Sequence, residues 1–577
     1  MAFLNVGMIS ASPEEYDFII VGGGTAGCLI ANRLSEIENW NVLLLEAGGE
    51  ENFIQDVPLL QPLAETFPFW IYNYEAEKSD SYALSMRSGQ IRIPNGKVLG
   101  GSSTINGMVY NRGNKNDFDV WEKLGNTGWS YDNVLPYFSK HENTIISGLR
   151  IKKKDNSTDG ELYIARPPYR SPLSDAFVNS GQQNGYPYYD YNSHEQIGFT
   201  YTGITIKNGE RLSSNNAFLS PVRHRNNLIV KTDSMVTRIL IDRNETKAYG
   251  VEYKVFGLIS FQALAKKEVI VCAGALRSPQ LLMLSGIGPR NHLEKFGIAV
   301  IQDSKVGYNY RDQVTILNLF FTINETIGFR LYDIIEDIKY ISEYLLTKNG
   351  QFSVPAGFEG FSFLDVDGND NIPDVELFFG SVLLPSIPFF LSPLGPLSDE
   401  LNSFYAPLKN KNGFTILPFL LKPESVGRLK LKDSNVFSNP IYEPNYFATE
   451  RDKHTLIKGI KEAVRLTNTD AFKKYDARLF PEPLPGCRNN TFGSYSYWEC
   501  CIKHSTFSGH HPTGTCKMGP ISDPDAVVDP SLRVIGIKNL RVADASVMPT
   551  LTSGHLMAPV YMIAEKAADI VKKDWLK

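Results

Sequence analysis

Residues 16–36, YDFIIVGGGTAGCLIANRLSE, carry the pattern that decides the fold. Their first part, DFIIV, is a short and continuously apolar run, which is typical of a buried parallel strand. Gly22, Gly24 and Gly27 follow as G-x-G-x-x-G, apolar residues then recur with helical spacing, and a second apolar run, NVLLLE, ends at Glu46. Strand, glycine loop, helix, strand and acid in this order predict a Rossmann-like α/β unit that binds a dinucleotide.

Each feature of this motif has a physical role. Gly22 permits the tight turn, Gly24 lets the backbone approach a pyrophosphate, and Gly27 lets helix and strand pack closely. The phosphates then lie at the helix N-terminus, where free N–H groups and the helix dipole favour negative charge. Glu46 lies nineteen residues beyond Gly27, where a carboxylate accepts hydrogen bonds from ribose hydroxyls. The motif alone does not distinguish FAD from NAD.

Length and composition bound the remaining possibilities. The 577 residues predict two large domains, or one domain with a large insertion. A net charge of −5 gives no sign of a nucleic-acid partner. The longest apolar stretch, residues 382–397, carries four prolines, so we expect no membrane span there but a loop that packs on the core or lines a pocket. The first ten residues resemble a secretory signal only poorly.

The cysteines and histidines do not form a metal site in the sequence. None of the six cysteines forms CxxC, and His504, His510 and His511 lack a cysteine or carboxylate partner at ligand spacing, so we predict no metal. Cys487 and Cys500 flank the aromatic loop RNNTFGSYSYWE, which a disulfide could close, and this would imply an oxidising compartment. A Ser-His-Asp hydrolase is unsupported because G-x-S-x-G is absent.

Three later segments extend the argument to nearly the whole chain. They are NGKVLGGSSTINGMVYNRGN at 95–114, GALRSPQLLMLSGIG at 274–288 and NLRVADASVMPTLTSGHLMAPVYMIAEKAAD at 539–569. Together with residues 16–36, they resemble the glucose–methanol–choline (GMC) oxidoreductases. The resemblance implies an α/β protein in which a Rossmann-like FAD-binding domain is joined to a substrate domain built on an antiparallel β-sheet with helices.

The resemblance also implies a discontinuous division of the chain. The FAD-binding domain is expected to comprise residues 14–145, 215–318 and 525–577. The substrate-binding domain is expected to comprise residues 146–214 and 319–524. The family's N-terminal type of region would then run from about 16 to 313, and its C-terminal type from about 424 to 567.

FAD is the cofactor that the resemblance implies, and matching positions assign its contacts. The expected FAD-binding residues are Gly22, Gly24, Thr25, Ala26, Gly27, Glu46, Gly100, Ser102, Asn106, Gly107, Met108, Val109, Val236, Asp544 and Ala545. Some family members link a histidine covalently to the flavin, but the matching position here is Ile105. We therefore expect non-covalent FAD.

Two histidines are the expected catalytic residues. Alcohol oxidation removes a proton from oxygen and a hydride from carbon, and histidine suits the role of the base. HHPTGTCKMG resembles the family's H-P-x-G-T-C-x-M segment and assigns His511 as that base. His555, in SGHLMAP, is expected to bind the same oxygen, while hydride passes to flavin N5. His555 stands just before a predicted amphipathic helix, whose apolar face carries Val560, Ile563, Ala567 and Val571. His510 is expected to pack behind His511 or to line the pocket wall.

The implied activity is oxidation of an alcohol to an aldehyde or ketone, with oxygen or a quinone as acceptor. A small aromatic, terpenoid or sugar alcohol is the expected substrate, and residues 320–500 should form most of its pocket. Aromatic candidates for that pocket, or for plain core, are Phe352, Phe358, Phe361, Phe363 and Tyr405. A flavin-containing hydroxynitrile lyase, an ecdysteroid oxidase and a non-catalytic flavoprotein remain as alternatives.

One loop bears on localisation. The loop PGC…YWEC resembles insect members of the family, in which these two cysteines are paired, and this implies a Cys487–Cys500 bridge and secretion. The sequence makes no prediction of the oligomeric state.

Overall fold

The computed structural model describes residues 13–146, 159–193, 195–368, 372–386, 397–409 and 411–576. Residues 387–396, within the proline-rich stretch that was predicted to pack on the core or line a pocket, lie outside the described residues.

The strands are β1 Glu14–Val21, β2 Val42–Leu45, β3 Ile71–Glu75, β4 Arg92–Gly96, β5 Glu142–Ile145, β6 Leu162–Ala165, β7 Gly198–Tyr201, β8 Ile204–Lys207, β9 Glu210–Arg211, β10 Leu228–Lys231, β11 Ser234–Asp242, β12 Lys247–Val255, β13 Ile259–Val271, β14 Ile287–Gly288, β15 Gln302–Asp303, β16 Val314–Ile316, β17 Phe320–Ile323, β18 Phe358–Leu364, β19 Val375–Gly380, β20 Asn412–Leu420, β21 Arg428–Lys430, β22 Ile441–Glu443, β23 Arg478–Leu479, β24 Thr506–Ser508 and β25 Leu540–Val542.

The helices connect and cover these strands. The α-helices are α1 Thr25–Ser35, α2 Phe53–Asp56, α3 Gln61–Ala64, α4 Lys115–Lys123, α5 Tyr131–His141, α6 Pro172–Gln183, α7 Gly274–Leu284, α8 Arg290–Lys295, α9 Leu331–Glu336, α10 Ile338–Thr347, α11 Asp399–Tyr405, α12 Glu450–Leu466, α13 Asp470–Lys473, α14 Tyr495–His504 and α15 Met557–Trp575. None of these described helices combines the length and the apolar character that crossing a bilayer requires.

A seven-stranded sheet organises the first part of the fold. Its order is β10-β2-β1-β13-β12-β11, and β25 pairs with β13. The pairs among β10, β2, β1, β13 and β25 are parallel, whereas β11, β12 and the start of β13 are antiparallel. β1, α1 and β2 confirm the predicted Rossmann-like order. β25 shows that residues near the end of the chain complete the sheet begun at its start.

An eight-stranded antiparallel sheet organises the second part. Its order is β23-β17-β20-β19-β18-β7, and β16 pairs with both β20 and β24. This confirms the antiparallel sheet of the expected fold class. The exact domain boundaries stay a prediction; β16 belongs by its pairing to this second sheet although the prediction placed it in the first domain.

Helix α15 is buried on more sides than the sequence suggested. Val560, Ile563, Ala567 and Val571 are buried, as an apolar face requires, but so are residues on the other sides of the helix up to Ala568. The reason is that α15 packs against both α1 and α5. The enclosed side is not purely apolar, since it includes Glu565, which pairs with Arg33 of α1.

A disulfide joins Cys487 to Cys500 across the loop that precedes α14. The same thiols and His504 form the one described group with metal-ligand spacing, and the S–S bond leaves those thiols no role as metal ligands.

Removing this bond should lower stability. We expect Cys487→Ser/Cys500→Ser to lose about 3 kcal/mol of unfolding free energy, because closing a loop of this length constrains the unfolded chain. Denaturant unfolding under non-reducing conditions measures the loss. Reductant serves as the control: it should weaken the wild-type protein by a similar amount and leave the double variant unchanged.

Candidate active site

One cavity extends from the glycine loop after β1 to the loop after β24. The predicted site residues that line it are Gly22, Gly24, Thr25, Ala26, Glu46, Ser102, Asn106, Gly107, Val109, Val236, Asp544, Ala545, His511 and His555. Gly27, Gly100 and Met108 are not among the lining residues. The structure therefore brings most of the predicted residues together around one cavity.

The glycine loop is closed by contacts that a side chain would break. Gly22 has a φ of +101°, and a Cβ there would lie 2.6 Å from the carbonyl oxygen of Cys272. A Cβ on Gly27 would lie 1.9 Å from the carbonyl oxygen of Gly22. Gly24 is the N-cap of α1, so the first amides of α1, which lack partners within the helix, follow it directly along the cavity wall.

Glu46 ends the second strand with its carboxylate held by the backbone. Its Oε2 accepts a hydrogen bond from Gly23 N (2.8 Å) and its Oε1 accepts one from Gly48 N (2.8 Å). Burial raises the pKa of Glu46 to about 7, against the effect of these N–H donors. The acid is thus fixed beside the glycine loop, where an adenosine ribose would lie.

The second glycine-rich segment packs directly on the first. Gly100 N donates to Gly23 O (2.8 Å), and a Cβ on Gly101 would lie 2.6 Å from the Cα of Gly24. Further on, Asn106 Oδ1 accepts a hydrogen bond from Arg211 Nη1 (2.8 Å), which fixes its side chain at the cavity wall. Because glycine lets these two segments pack so closely on each other, space for an extended ligand remains between them and the sheet.

Asp544 joins the C-terminal segment to the start of α7. Its Oδ2 accepts hydrogen bonds from Gly274 N (2.9 Å) and Ser278 Oγ (2.5 Å), and its Oδ1 accepts one from Ser546 N (2.8 Å). Burial raises the pKa of Asp544. Its carboxylate thus positions two segments of the wall.

These features fit FAD. A helix N-terminus with available amides, glycines that admit close approach and a buried acid at the end of the second strand are the parts that hold a dinucleotide. The cavity continues from them to the two predicted catalytic histidines. A dinucleotide bound along it would have one end beside those imidazoles.

His511 and His555 face each other in the cavity. Their ring centroids are 4.8 Å apart and their planes are inclined by 79°. His511 N donates to Asp312 Oδ1 (2.8 Å), and Nδ1 of the His511 ring lies 2.6 Å from Gln313 Oε1. Burial, with smaller effects from the neighbouring imidazoles, holds the pKa of His511 well below its usual range. The ring is therefore neutral near pH 7 and able to accept a proton.

The His555 ring is held at its Nε2 atom. Its Nε2 lies 3.0 Å from Glu376 Oε1, and its ring packs edge-on against Phe361 and Phe378. Glu376 is buried on β19. Because a carboxylate accepts the Nε2–H, the His555 ring has Nδ1 left to contact a substrate oxygen.

His510 lines the cavity wall, one of the two places predicted for it. Its backbone has a φ of +59°, its N–H donates to Ser508 Oγ (2.9 Å), and its ring packs edge-on against Phe507. Burial lowers the pKa of His510 to about 4. The adjacent histidines therefore differ: one packs in the wall, and the other is hydrogen-bonded and faces His555.

Sequence reasoning missed the two residues that hydrogen-bond to the histidine rings, Gln313 and Glu376. Gln313 stands in RDQVT, which carries no recognisable motif. Glu376 offered a weak signal, since it is a lone carboxylate in the buried strand VELFFG. Of the predicted pocket aromatics, Phe358 lines the cavity, whereas Phe352, Phe361, Phe363 and Tyr405 are buried and do not line it.

A low pKa at His511 predicts an unusual pH profile. The base must be neutral, and burial extends its neutral range to lower pH than an exposed imidazole allows, so we expect flavin reduction by substrate to stay near its maximum at pH 6.5 and to fall only below that. Rapid mixing without oxygen across pH 4 to 8 measures this. Asp312, whose pKa burial raises to about 6, is the carboxyl group beside His511 that titrates in the same range. Asp312→Asn separates the two, and a midpoint at or above 6.5 in that variant would contradict the expectation.

Comparison with known proteins places this arrangement in a family. The GMC oxidoreductase family matches in two parts, its N-terminal part over residues 16–315 and its C-terminal part over residues 423–564. The chain is 38% identical to the glucose dehydrogenase [FAD, quinone] of Drosophila pseudoobscura pseudoobscura over 573 residues, which cover 97% of this chain and 87% of that protein. It is 35% identical to human mitochondrial choline dehydrogenase over 580 residues, which cover 98% of this chain and 91% of that protein.

Solved structures show the same fold. A pyridoxine 4-oxidase from Mesorbium loti superposes with a TM-score of 0.79 at 28% identity, over 96% of this chain and 98% of that one. A formate oxidase from Aspergillus oryzae superposes with a TM-score of 0.85 at 25% identity, over 98% of this chain and all of that one. With the fold, the dinucleotide cleft and the paired histidines, these matches show that the chain belongs to the GMC oxidoreductase family of FAD-dependent enzymes that act on CH–OH donors.

Proposed function

We propose that this enzyme oxidises a small, largely apolar alcohol to an aldehyde or ketone, with His511 as the base and His555 as the residue that binds the substrate oxygen. The observation that carries the proposal is the meeting of these two imidazoles, 4.8 Å apart, in the cavity that the glycine loop also lines. Bound FAD supplies the hydride acceptor for this chemistry.

The chain's own residues account for the proton. Desolvation in the cavity wall lowers the pKa of His511, so the ring is neutral, and Asp312 anchors its backbone. A hydroxyl placed between the two rings can lose its proton to His511, and His555 holds the resulting oxygen by a hydrogen bond when its Nδ1 also carries a hydrogen. Glu376 orients the His555 ring for that contact. Holding oxygen and base in one geometry lowers the entropic cost of reaching the transition state.

The substrate class follows from the wall beside the histidines. Apolar side chains line this part of the cavity: Leu317, Phe358, Phe378, Leu417, Phe419 and Phe507. Phe378 and Phe419 pack on the His555 ring, with ring centroids 5.6 and 6.4 Å away. Such a wall binds an aromatic or terpenoid alcohol through buried apolar area, at about 25 cal/mol per Å². A sugar would leave several hydroxyls there without partners.

The mode of FAD binding and the site of action complete the proposal. Ile105, at the position of the flavin-linking histidine of some family members, is buried against Ala64 and Ile71, which supports non-covalent FAD. Acid precipitation should therefore release the flavin into solution. The Cys487–Cys500 disulfide supports secretion, because such bonds persist in oxidising compartments.

The test is flavin bleaching by candidate alcohols. An aryl alcohol, a terpenoid alcohol, glucose and choline are each mixed with the holoenzyme without oxygen, and absorbance in the flavin bands is followed. We expect the aryl or terpenoid alcohol to reduce the flavin fastest at equal concentration. Fastest reduction by glucose or choline would refute the apolar substrate class, and no reduction by any alcohol would count against alcohol oxidation itself.

The acceptor is tested on the reduced enzyme. Two relatives bear on it by name: the Drosophila enzyme is a glucose dehydrogenase [FAD, quinone], and a Vibrio vulnificus relative is an oxygen-dependent choline dehydrogenase. We propose that oxygen or a quinone takes the electrons. Air and a soluble quinone are added separately to the reduced protein, and the faster return of flavin colour identifies the acceptor.

A further inference from the structure

Gln313 is locked in place next to the proposed base. It precedes β16, it is 1% exposed, and its carbonyl oxygen accepts a hydrogen bond from Gly509 N (2.7 Å). β16 pairs with β24, where Val314 lies opposite Ser508. Gln313 and the loop that carries His511 are therefore tied together by backbone contacts, so the side chain has little freedom to move away from the imidazole.

The surroundings of the Gln313 amide determine which way it faces. Its Nε2 donates to the carbonyl oxygens of Thr552 (3.0 Å) and Leu421 (3.2 Å). A carbonyl oxygen can only accept, so the NH₂ group must face these two atoms. The Oε1 atom then faces His511 Nδ1 at 2.6 Å.

The orientation of the amide decides the protonation pattern of the ring. Oε1 of Gln313 has no hydrogen to donate, so the Nδ1 atom of His511 must carry one. A neutral imidazole has a single N–H, and its second nitrogen then bears the lone pair. In His511 this second nitrogen is Nε2. The opposite tautomer would place an N–H where the base has to accept a proton.

We propose that Gln313 is a positioning residue that holds His511 in the Nδ1–H tautomer, so that Nε2 is the atom that accepts the substrate proton. The inference rests on the proposed role of His511 as the base. An amide is well suited to the task, because it selects the tautomer without placing a negative charge beside the ring. A carboxylate at the same point would also accept from Nδ1–H, but it would favour the charged imidazolium.

Two substitutions at Gln313 separate these effects. Gln313→Leu removes the acceptor at similar volume, and we expect flavin reduction to slow by about 10-fold to 100-fold on the pH plateau, as for other partners that orient a functional histidine. Gln313→Glu keeps an acceptor and adds charge, so we expect the acid limb of the pH profile to move to higher pH. The titratable groups around His511 are His510, His555 and Asp312, with Glu376 behind His555, and all are unchanged in both variants.

Gln196 provides a matched control. It is also a buried glutamine, and its Nε2 donates to Ser553 O (2.7 Å), the residue after the one that Gln313 holds. Gln196→Leu therefore weakens the same segment without touching His511. We expect its acid limb to coincide with that of the wild-type protein. Equal rate losses in Gln196→Leu and Gln313→Leu, or an unmoved limb in Gln313→Glu, would overturn the proposal.

A measurement on the unsubstituted protein covers the case in which a Gln313 variant does not fold. With ¹⁵N-labelled histidine, protonated and unprotonated ring nitrogens differ in chemical shift, and His511→Ala identifies the His511 signals. A protonated Nδ1 with an unprotonated Nε2 supports the proposal, and the reverse pattern overturns it. If His511→Ala itself reduces flavin at the normal rate, the proposed function fails, whatever Gln313 does.

Discussion

His511→Ala should slow flavin reduction by substrate about 10²-fold to 10⁴-fold, the range that a positioned general base contributes. The structure gives the reason: desolvation lowers the pKa of this imidazole and keeps it neutral, it faces His555, and its backbone is anchored by Asp312. The variant should keep its bound FAD, because the substitution leaves the glycine loops that line the dinucleotide cleft untouched. Stopped-flow absorbance without oxygen, with the best alcohol from the substrate test, measures the rate.

His510→Ala is the control for that prediction. It removes the adjacent imidazole from the same loop, but His510 packs on Phe507 and makes no ring contact with His555 among the described residues. We expect a rate loss below about 10-fold, caused by the cavity left in the wall. A His511→Ala protein that reduces its flavin as fast as the His510→Ala protein would remove His511 from the role of base.

The parts of the fold that sequence predicts well are those whose signal is local. β1, the glycine loop and α1 occupy one short stretch, and each has a distinct requirement: a buried apolar run, positive φ or close approach, and helical spacing. The resemblance to a known family extended this local reading to Asp544, His511 and His555. All three line the same cavity as the first glycines.

The partners of the catalytic histidines have no such local signal. Gln313 contacts a residue 198 positions away, and Glu376 contacts one 179 positions away. Pairing of β16 with β24 brings Gln313 to His511, and β19 carries Glu376 to the segment before α15, where His555 lies. Strand pairing at such separations depends on the packing of the whole domain, so a single sequence cannot specify it. The orientation of the Gln313 amide is still further from sequence, because it depends on two carbonyl groups in other segments.

The same limit applies to α15 and to the sheet that contains β16. The apolar face of α15 was predicted from its periodicity, but its burial on the other sides comes from α5, which is distant in sequence. β16 has only three residues, too few for a periodic pattern to assign it to either sheet. The position of a short strand is determined by the neighbouring strands with which it pairs.

Gly27→Ala should abolish FAD binding. A Cβ at this position would lie 1.9 Å from Gly22 O, so α1 must move away from β1 and carry its N-terminal amides out of the pyrophosphate position. We expect a colourless protein with a destabilisation of about 3 kcal/mol or more, as for other overpacked core sites. Flavin absorbance per mole of purified protein and the thermal midpoint report the two effects.

Gly49→Ala is the matched control for this last change. It adds the same methyl group near the cleft, but its Cβ would meet no described atom closer than 3.9 Å. It should keep its flavin and its thermal midpoint. The reason is that a clashing side chain disturbs the glycine loop, whereas the loss of a glycine alone does not. If both variants retained full flavin content, tight contact between α1 and the first turn would not be what forms the dinucleotide cleft. If both lost it, flexibility of the segment rather than close packing would be the requirement.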